Sequence, residues 1–177
     1  MTALVIYESM FGNTQTMAQA VVGGLAEHMD VEVHEVATAP VTISDEVDLL
    51  VVGAPTHAFG MSRPSTRHDA ARQSDRSLVS TGIGIREWLD QLIAPRSAIA
   101  AATFDTRVNR PRLPGSAAVS AQRRLHRLGF RIVAPAQSFR VHGTPGPLIE
   151  GEPERAHRFG ERLARRHLQD AGVSDRL

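Results

Sequence analysis

The chain has 177 residues, 42% of them apolar, which is enough for one hydrophobic core and predicts a single domain. It contains no cysteine, so disulfides, thiolate chemistry and cysteine-ligated metals are excluded, and any redox role needs a bound cofactor. No apolar run approaches the roughly 20 residues of a membrane span, and the start of the chain has no basic leader. We therefore expect a soluble cytoplasmic protein without a membrane partner.

The net charge is only +1, but the charged residues are unevenly distributed along the chain. Residues 1–62 carry a formal charge of −8 and contain no basic residue, whereas residues 63–177 carry +9 and contain all 20 basic residues, every one an arginine. The arginines occur singly or in pairs over several predicted elements rather than in one basic run. We therefore expect no nucleic-acid partner.

Apolar runs of strand length alternate with helical patterns along the chain. The predicted strands are Leu4–Tyr7, Val31–Val36, Leu49–Gly53, Ser97–Thr103 and Arg131–Val141. Several of these runs are continuously apolar, as expected for strands that are covered on both faces. The apolar spacing predicts helices over Met17–Met29, Ile85–Ile93, Ser116–Leu128 and Glu154–Leu168, with a short helical turn near Ser44–Glu46.

This alternation predicts an α/β fold: a doubly wound, five-stranded parallel sheet in the order 2-1-3-4-5, with helices on both faces. Pro135 lies inside the fifth run, which agrees with an edge strand in that order. We expect one domain over residues 1–169 and a frayed tail over 170–177. The long polar segment 57–82 has no predicted element, and a loop of that length is usually functional or mobile.

The sheet order places a ligand site where the strand order reverses, between the ends of the first and third strands. The chain leaves these strands through a first loop, Glu8–Thr14, and a second loop, Ala54–Gly60. The first loop leads directly into a helix, whose free amides and dipole form an anion site that Gly12 lets a ligand approach. The alternative is that Asn13 or Thr14 simply caps the helix.

Other phosphate-binding patterns are absent from the sequence. The motif G-x-x-x-x-G-K-[ST] cannot occur without lysine, and no G-x-G-x-x-G follows the first strand. No histidine pair has metal-ligand spacing, so we expect no metal site. His57 and His142 follow strands and could donate a hydrogen bond to a ligand oxygen, or could be ordinary loop histidines.

The loops resemble those of the flavodoxin-like family, and more closely its tryptophan-repressor-binding-protein and quinone reductase branch than the short electron-carrier flavodoxins. Ser9-Met10-Phe11-Gly12-Asn13-Thr14 is similar to the [ST]-x-T-G-x-T loop that wraps the FMN phosphate. The stretch VVGAPTHAFG, residues 51–60, resembles the segment that flanks the isoalloxazine ring. A third loop of the family corresponds to ATFDTR, residues 102–107.

The resemblance implies FMN as the cofactor and assigns residues to it. The first loop would hold the phosphate through Ser9, Met10, Phe11, Gly12, Asn13 and Thr14. The second loop would border the flavin ring through Pro55, Thr56, His57, Phe59 and Gly60, with the Phe59–Gly60 peptide hydrogen-bonded to flavin N5. The third loop would close the other side of the ring through Thr103, Phe104, Asp105 and Thr106.

The chain also departs from the electron-carrier pattern. Phe11 replaces a threonine in the first loop, and the third loop has no tyrosine. We expect Trp88 and Tyr7 to be buried in the core, which leaves ring stacking to Phe59, His57 or Phe104. The near-neutral charge also differs from the strongly acidic carriers.

The sequence therefore predicts a redox protein that transfers electrons or hydride through FMN. It does not choose between an NAD(P)H-dependent quinone oxidoreductase and a carrier that serves a redox partner protein, and it gives no oligomeric state. The alternative is a non-enzymatic interaction module of the same fold that binds flavin weakly or not at all.

Overall fold

The computed structural model describes residues 1–57, 59–72, 77–111 and 114–174. The strands are β1 (Thr2–Tyr7), β2 (Asp30–Glu35), β3 (Val47–His57), β4 (Gly60–Met61), β5 (Ala100–Val108), β6 (Arg131–Ile132) and β7 (Gln137–Val141). The α-helices are α1 (Asn13–Ala26), α2 (Pro64–Arg72), α3 (Ile85–Gln91), α4 (Ala117–Arg127) and α5 (Glu152–Ser174), and a short 3-10 helix spans Val36–Thr38.

The sheet confirms the predicted α/β, doubly wound architecture. Its order is β2-β1-β3-β5-β6, and each of these neighbouring pairs is parallel. Strand β7 is a second parallel partner of β5, beyond the end of β6, and β4 pairs antiparallel with the end of β3. Strands β6 and β7 are two parts of the predicted fifth strand, and β4 is a short addition to β3. The seven described strands therefore keep the predicted five-strand arrangement.

Four local predictions were wrong. The predicted fifth strand is interrupted after Ile132, and Pro135 lies in that break rather than inside a strand. The predicted fourth strand does not end at Thr103, because pairing with β7 carries β5 on to Val108. The polar segment 57–82 contains β4 and α2, whereas residues 44–46 form only a turn.

Both faces of the sheet are covered, which explains the continuously apolar strands. One core packs alternate strand residues such as Val5 and Val51 against α1 and α5. The other core packs their neighbours, such as Ile6 and Val52, against α3 and α4. Trp88 is fully buried in this second core, as its place on an apolar helix stripe predicted. Its indole N–H donates to the Pro40 carbonyl.

Helix α5 continues to Ser174, past the predicted start of a frayed tail at residue 170, and residues 175–177 lie outside the described residues. Over the described ranges, no helix combines the length and the apolar character needed to cross a membrane.

Candidate functional site

The first loop is held rigidly by hydrogen bonds within the protein. The Ser9 hydroxyl accepts from the amides of Gly12 (3.1 Å) and Gln15 (3.2 Å), and Ser9 is fully buried. The backbone of Ser9 exchanges two bonds with Ser80: the Ser9 amide donates to the Ser80 hydroxyl, and the Ser80 amide donates to the Ser9 carbonyl. The oxygen of the Ser9 hydroxyl therefore supports the loop itself, and its O–H group can still donate to a ligand alongside the backbone amides.

Gly12 gives this loop its shape. It immediately precedes α1 with φ of 88°, a left-handed conformation that a residue with a Cβ adopts only at a cost. A Cβ built at Gly12 would have no atom within 4 Å, so the space above the loop is open. Among the described residues, none accepts a hydrogen bond from the amides of Phe11, Asn13 and Thr14. Since the first turn of α1 has no acidic residue, its dipole and these amides favour an anion.

The second loop forms the facing wall, at the end of β3. Pro55, Thr56 and His57 all lie within the strand and line the cleft. Thr56 is held firmly, because its hydroxyl donates to Asp105 (2.9 Å) and accepts from the amide of Ala117 (2.9 Å). Burial lowers the pKa of His57, and the charge of Arg67 lowers it further. The cleft therefore presents a neutral imidazole at neutral pH.

Phe59 and Gly60 do not line the cleft. Phe59 has φ of 77° and its side chain is 58% exposed, while residue 58 lies outside the described residues. The Phe59 carbonyl is fixed against Gly115, where a Cβ would lie 1.9 Å from the carbonyl oxygen. The Phe59–Gly60 peptide as a partner of flavin N5 stays a prediction.

The third loop is mostly strand, and three of its four predicted contact residues lie in the core. Thr103, Phe104 and Asp105 are completely buried within β5. The Phe104 ring packs edge-on to Phe139, with centroids 5.8 Å apart, and fills the space beside Gly53, where a Cβ would lie 2.1 Å from the ring. These residues do not reach the cleft because β5 ends at Val108.

Thr106 is the predicted third-loop residue that does reach the cleft. Its hydroxyl shares a hydrogen bond of 2.7 Å with the hydroxyl of Thr14, and both residues are almost completely buried. This bond connects the start of α1 directly to β5 across the sheet. The first loop is therefore positioned from two sides, by Ser80 and by Thr106.

Asp105 supports the second loop from behind rather than lining the site. Its Oδ2 accepts from Thr56 (2.9 Å), from the Ser116 hydroxyl (2.5 Å) and from the Ala118 amide (3.1 Å). Its Oδ1 is buried and has no hydrogen-bond partner among the described residues. A carboxylate at the start of α4 is favoured by the helix dipole, which stabilises this buried charge.

Several residues of the cleft were not expected from the sequence. Helix α2 contributes Thr66, Asp69 and Ala70, from the polar segment that had no predicted element. Arg107 and Val108 follow the predicted third loop, and Val141 and Thr144 come from the end of β7 and the turn after it. The unusual length of segment 57–82 was the one sequence signal that pointed to α2.

Helix α2 is anchored by a buried charged cluster beside the cleft. Arg67 donates to the Ser62 hydroxyl (2.8 Å) and pairs with Glu87 (3.1 Å). Glu8 is fully buried and accepts from the Ile85 amide (2.8 Å), but its Oε1 has no partner among the described residues. Burial raises the pKa of Glu8, although the Ser62 and Ile85 hydrogen bonds and the charge of Arg67 oppose this rise.

A group of potential metal ligands lies just after α1 and on α5, away from the cleft. Ligand atoms of Glu27, His28 and Glu161 lie within 4.8 Å of one another, and Glu27 and His28 are exposed. All three already have other partners, since Glu27 contacts His157 and Arg165 contacts both Glu161 and His28. The cleft is the site that the sheet topology and the free amides favour.

Comparison with known proteins finds a match to one family over part of the chain. Residues 5–79 match the flavodoxin family, a range that includes the first and second loops. No curated protein matches the sequence.

Solved structures of flavodoxins have the same fold over nearly the whole chain. A flavodoxin from the domain Archaea superposes with a TM-score of 0.68 at 20% identity, covering 94% of this chain and 99% of its own. Flavodoxin 1 from Bacillus cereus gives a TM-score of 0.66 at 19% identity, covering 96% and 98%. A WrbA-like flavodoxin from Agrobacterium tumefaciens gives 0.58 at 19% identity, covering 95% and 98%.

Proposed function

We propose that this flavodoxin-like protein binds FMN in the cleft between the first and second loops and transfers electrons or hydride through the flavin. The family match supports FMN as the cofactor. The observation that carries the proposal is the open first loop before α1, where no described residue accepts a hydrogen bond from the amides of Phe11, Asn13 and Thr14. Which branch of the family the chain represents stays a prediction.

The residues of the cleft fit the three parts of FMN. The first-loop amides would hold the phosphate, whose charge is favoured by the α1 dipole. Arg107 is the basic residue lining the cleft, and Thr66, Asp69 and Thr144 offer polar groups to a ribityl chain. Met10, Phe11, Pro55 and His57 offer a largely apolar wall to the ring.

When bound, FMN supplies the redox chemistry, and the protein binds and orients it. The second loop would keep the ring in place because Thr56 is fixed by Asp105 and by the start of α4. His57 would face the ring as a neutral side chain that adds no positive charge, held in place by its hydrogen bond to the Thr66 backbone.

The first experiment compares FMN with riboflavin by quenching of flavin fluorescence. Two or more hydrogen bonds to a charged phosphate contribute together at least about 2 kcal/mol, so we expect FMN to bind at least about 30-fold more tightly than riboflavin. Equal affinity for the two would show that the first loop does not hold the phosphate. No quenching by either flavin would instead favour a non-enzymatic interaction module.

Phe11, at a position where the family loop carries a threonine, favours this second candidate, because it leaves the first loop one hydroxyl fewer for a phosphate.

If FMN binds, the source of the electrons that reduce it distinguishes a reductase from an electron carrier. Oxidation of NADH or NADPH with a benzoquinone acceptor would identify a reductase. Bleaching of the flavin only when a separate reductase is added would identify an electron carrier.

A further inference from the structure

The broken edge of the sheet carries a second large depression, far from the first loop. Two adjoining cavities of about 830 and 570 Å³ lie between α4, α5 and the break after β6, and they share Ala134, Pro135 and Arg166. We call this continuous surface the edge groove. It lies towards the start of β7, at Gln137, whereas the cleft reaches the other end of the same strand at Val141.

The floor of the edge groove is apolar. Ile132, Val133, Ala134 and Pro135 line one cavity, and Phe159 and Leu163 line the other. Ile132 and Ala134 are only partly buried, so they leave apolar surface in contact with solvent. Such a floor favours a ligand that brings apolar side chains of its own.

The walls of the groove carry four exposed arginines. Arg123 and Arg127 project from α4, and Arg162 and Arg166 project from α5; all four are exposed. Within the described ranges, none of the four forms an ion pair. This differs from Arg67, Arg124, Arg155 and Arg165, each of which pairs with a carboxylate. Asp170 also lines the groove, but it already pairs with Arg131.

Within the described part of the chain, the strand at the base of the groove, β6, pairs on one side only, with β5. Arg131 and Val133 donate their amides to β5, at Ile99 and Ala101. Since successive amides of a strand point to opposite sides, the Ile132 amide faces the groove. Pro135 has no N–H, so backbone pairing ends there, and recognition beyond it depends on side chains.

These features together select the class of ligand. An extended polypeptide can use the free strand edge, its apolar side chains can contact the floor, and its carboxylates can neutralise the arginines. A single-stranded nucleic acid would need several exposed aromatic rings on which successive bases stack. Phe159 is only 4% exposed, and among the described lining residues His126 has the one exposed aromatic ring. We propose that the edge groove docks an extended segment of a partner protein in which acidic and apolar residues alternate.

The probe for this proposal is a fluorescein-labelled peptide of about 12 residues, alternating glutamate and valine, which spans about 40 Å when extended. Binding is followed by fluorescence anisotropy with the full-length chain. We expect binding that weakens as salt is raised, because the contacts are largely between charges. The proposal would be overturned if no binding were detected at about 200 µM protein, because the free energy of binding would then be weaker than about −5 kcal/mol.

Paired charge reversals locate the binding surface. Arg123→Glu with Arg166→Glu removes one arginine from each wall, and Arg96→Glu with Arg158→Glu makes the same change in net charge at exposed arginines outside the groove. We expect the first variant to weaken peptide binding at least about 10-fold and the second to change it less than about 2-fold. An equal loss in both would mean that net charge, not the groove, attracts the peptide.

Two competitor ligands test the chemistry of the partner. A peptide with glycine in place of valine should bind several-fold more weakly, and equal binding would show that the apolar floor is not used. A labelled oligouridine that binds more tightly than the glutamate–valine peptide would overturn the proposal in favour of a nucleic-acid surface. Circular dichroism of both charge variants confirms that each is folded.

Discussion

The first loop follows β1 and the third loop lies in β5, the two strands on either side of β3, and the two loops occupy different environments although each contains a phenylalanine and threonine. Phe11 and Thr14 of the first loop line the cleft. Phe104 and Thr103 of the third loop are completely buried in β5. The difference arises after the strands: α1 begins at once after the first loop, whereas β7 keeps β5 extended. Strand pairing, rather than residue type, decides which hydroxyls reach a ligand.

The two regions also share one feature, a buried carboxyl group with one oxygen that has no hydrogen-bond partner among the described residues. Glu8 begins the first loop and accepts from the start of α3, while Asp105 lies in the third loop and accepts from the start of α4. Each carboxylate thus connects a strand end to a helix on the same face of the sheet. Paired substitutions in the two regions can separate roles in binding from roles in folding.

The two phenylalanines should give the largest contrast. We expect Phe104→Ala to lower the free energy of unfolding by about 3–5 kcal/mol, because it empties a well-packed core site beside Gly53. Where the variant is folded, its FMN affinity should change less than about 3-fold. Phe11→Ala should show the reverse: its free energy of unfolding should change by less than about 1 kcal/mol, and its FMN affinity should fall several-fold. Urea denaturation and fluorescence quenching measure the two quantities, and a large affinity loss in Phe104→Ala alone would contradict the assignment.

Glycine substitutions test whether the shape of the first loop matters for binding. Gly12 and Gly129 both have left-handed backbone, with φ of 88° and 97°, and neither has an atom within 4 Å of a built Cβ. Valine at either site should cost about 1–2 kcal/mol of stability from backbone strain. Only Gly12→Val should also lower FMN affinity, by about 100-fold, since it disturbs the amides that hold the phosphate. The first loop would be misassigned if Gly12→Val and Gly129→Val bound FMN equally well.

The threonines of β5 provide a smaller test. Thr106 bonds to Thr14 at the cleft, whereas Thr103 donates to the Ala118 carbonyl inside the protein. Replacing either by valine should lower stability by about 1 kcal/mol, because a buried hydrogen bond is lost. We expect Thr106→Val alone to weaken FMN binding, by about 3- to 10-fold. Isothermal titration calorimetry on both variants provides the measurement, and equal affinities would contradict a role for Thr106 in positioning the first loop.

The smallest effect concerns the pH dependence of stability. Burial raises the pKa of Glu8 above its ordinary value of 4.5, so the folded protein retains a proton that the unfolded chain releases. This contribution to stability is complete below pH 4.5 and is lost as pH rises through the folded-state pKa. As the pH rises from 4.5 to neutral, the free energy of unfolding of Glu8→Gln should therefore fall less than that of the unmodified protein. Urea midpoints across that range, compared with Glu46→Gln at an exposed site, measure the difference; identical slopes in the two variants would contradict the prediction.

Local patterns were sufficient for the first loop and the strand order. The apolar run before Glu8 and the periodic residues from Met17 mark the end of β1 and the course of α1 without reference to the rest of the chain. Local patterns failed at Phe104 and Asp105, since nothing near them signals that β5 continues. They also failed over 57–82, where α2 has a polar sequence and is held by Arg67 contacts to Ser62 and Glu87.

The sequence by itself determined the α/β architecture, the strand order and the position of the first loop, because apolar periodicity and a glycine before a helix act over a few residues. The tertiary structure decided the rest: the end of β5, the helix α2 beside the cleft, and the arginines gathered along the edge groove. These depend on pairing and packing between residues far apart in the chain, whose free energies no local stretch contains.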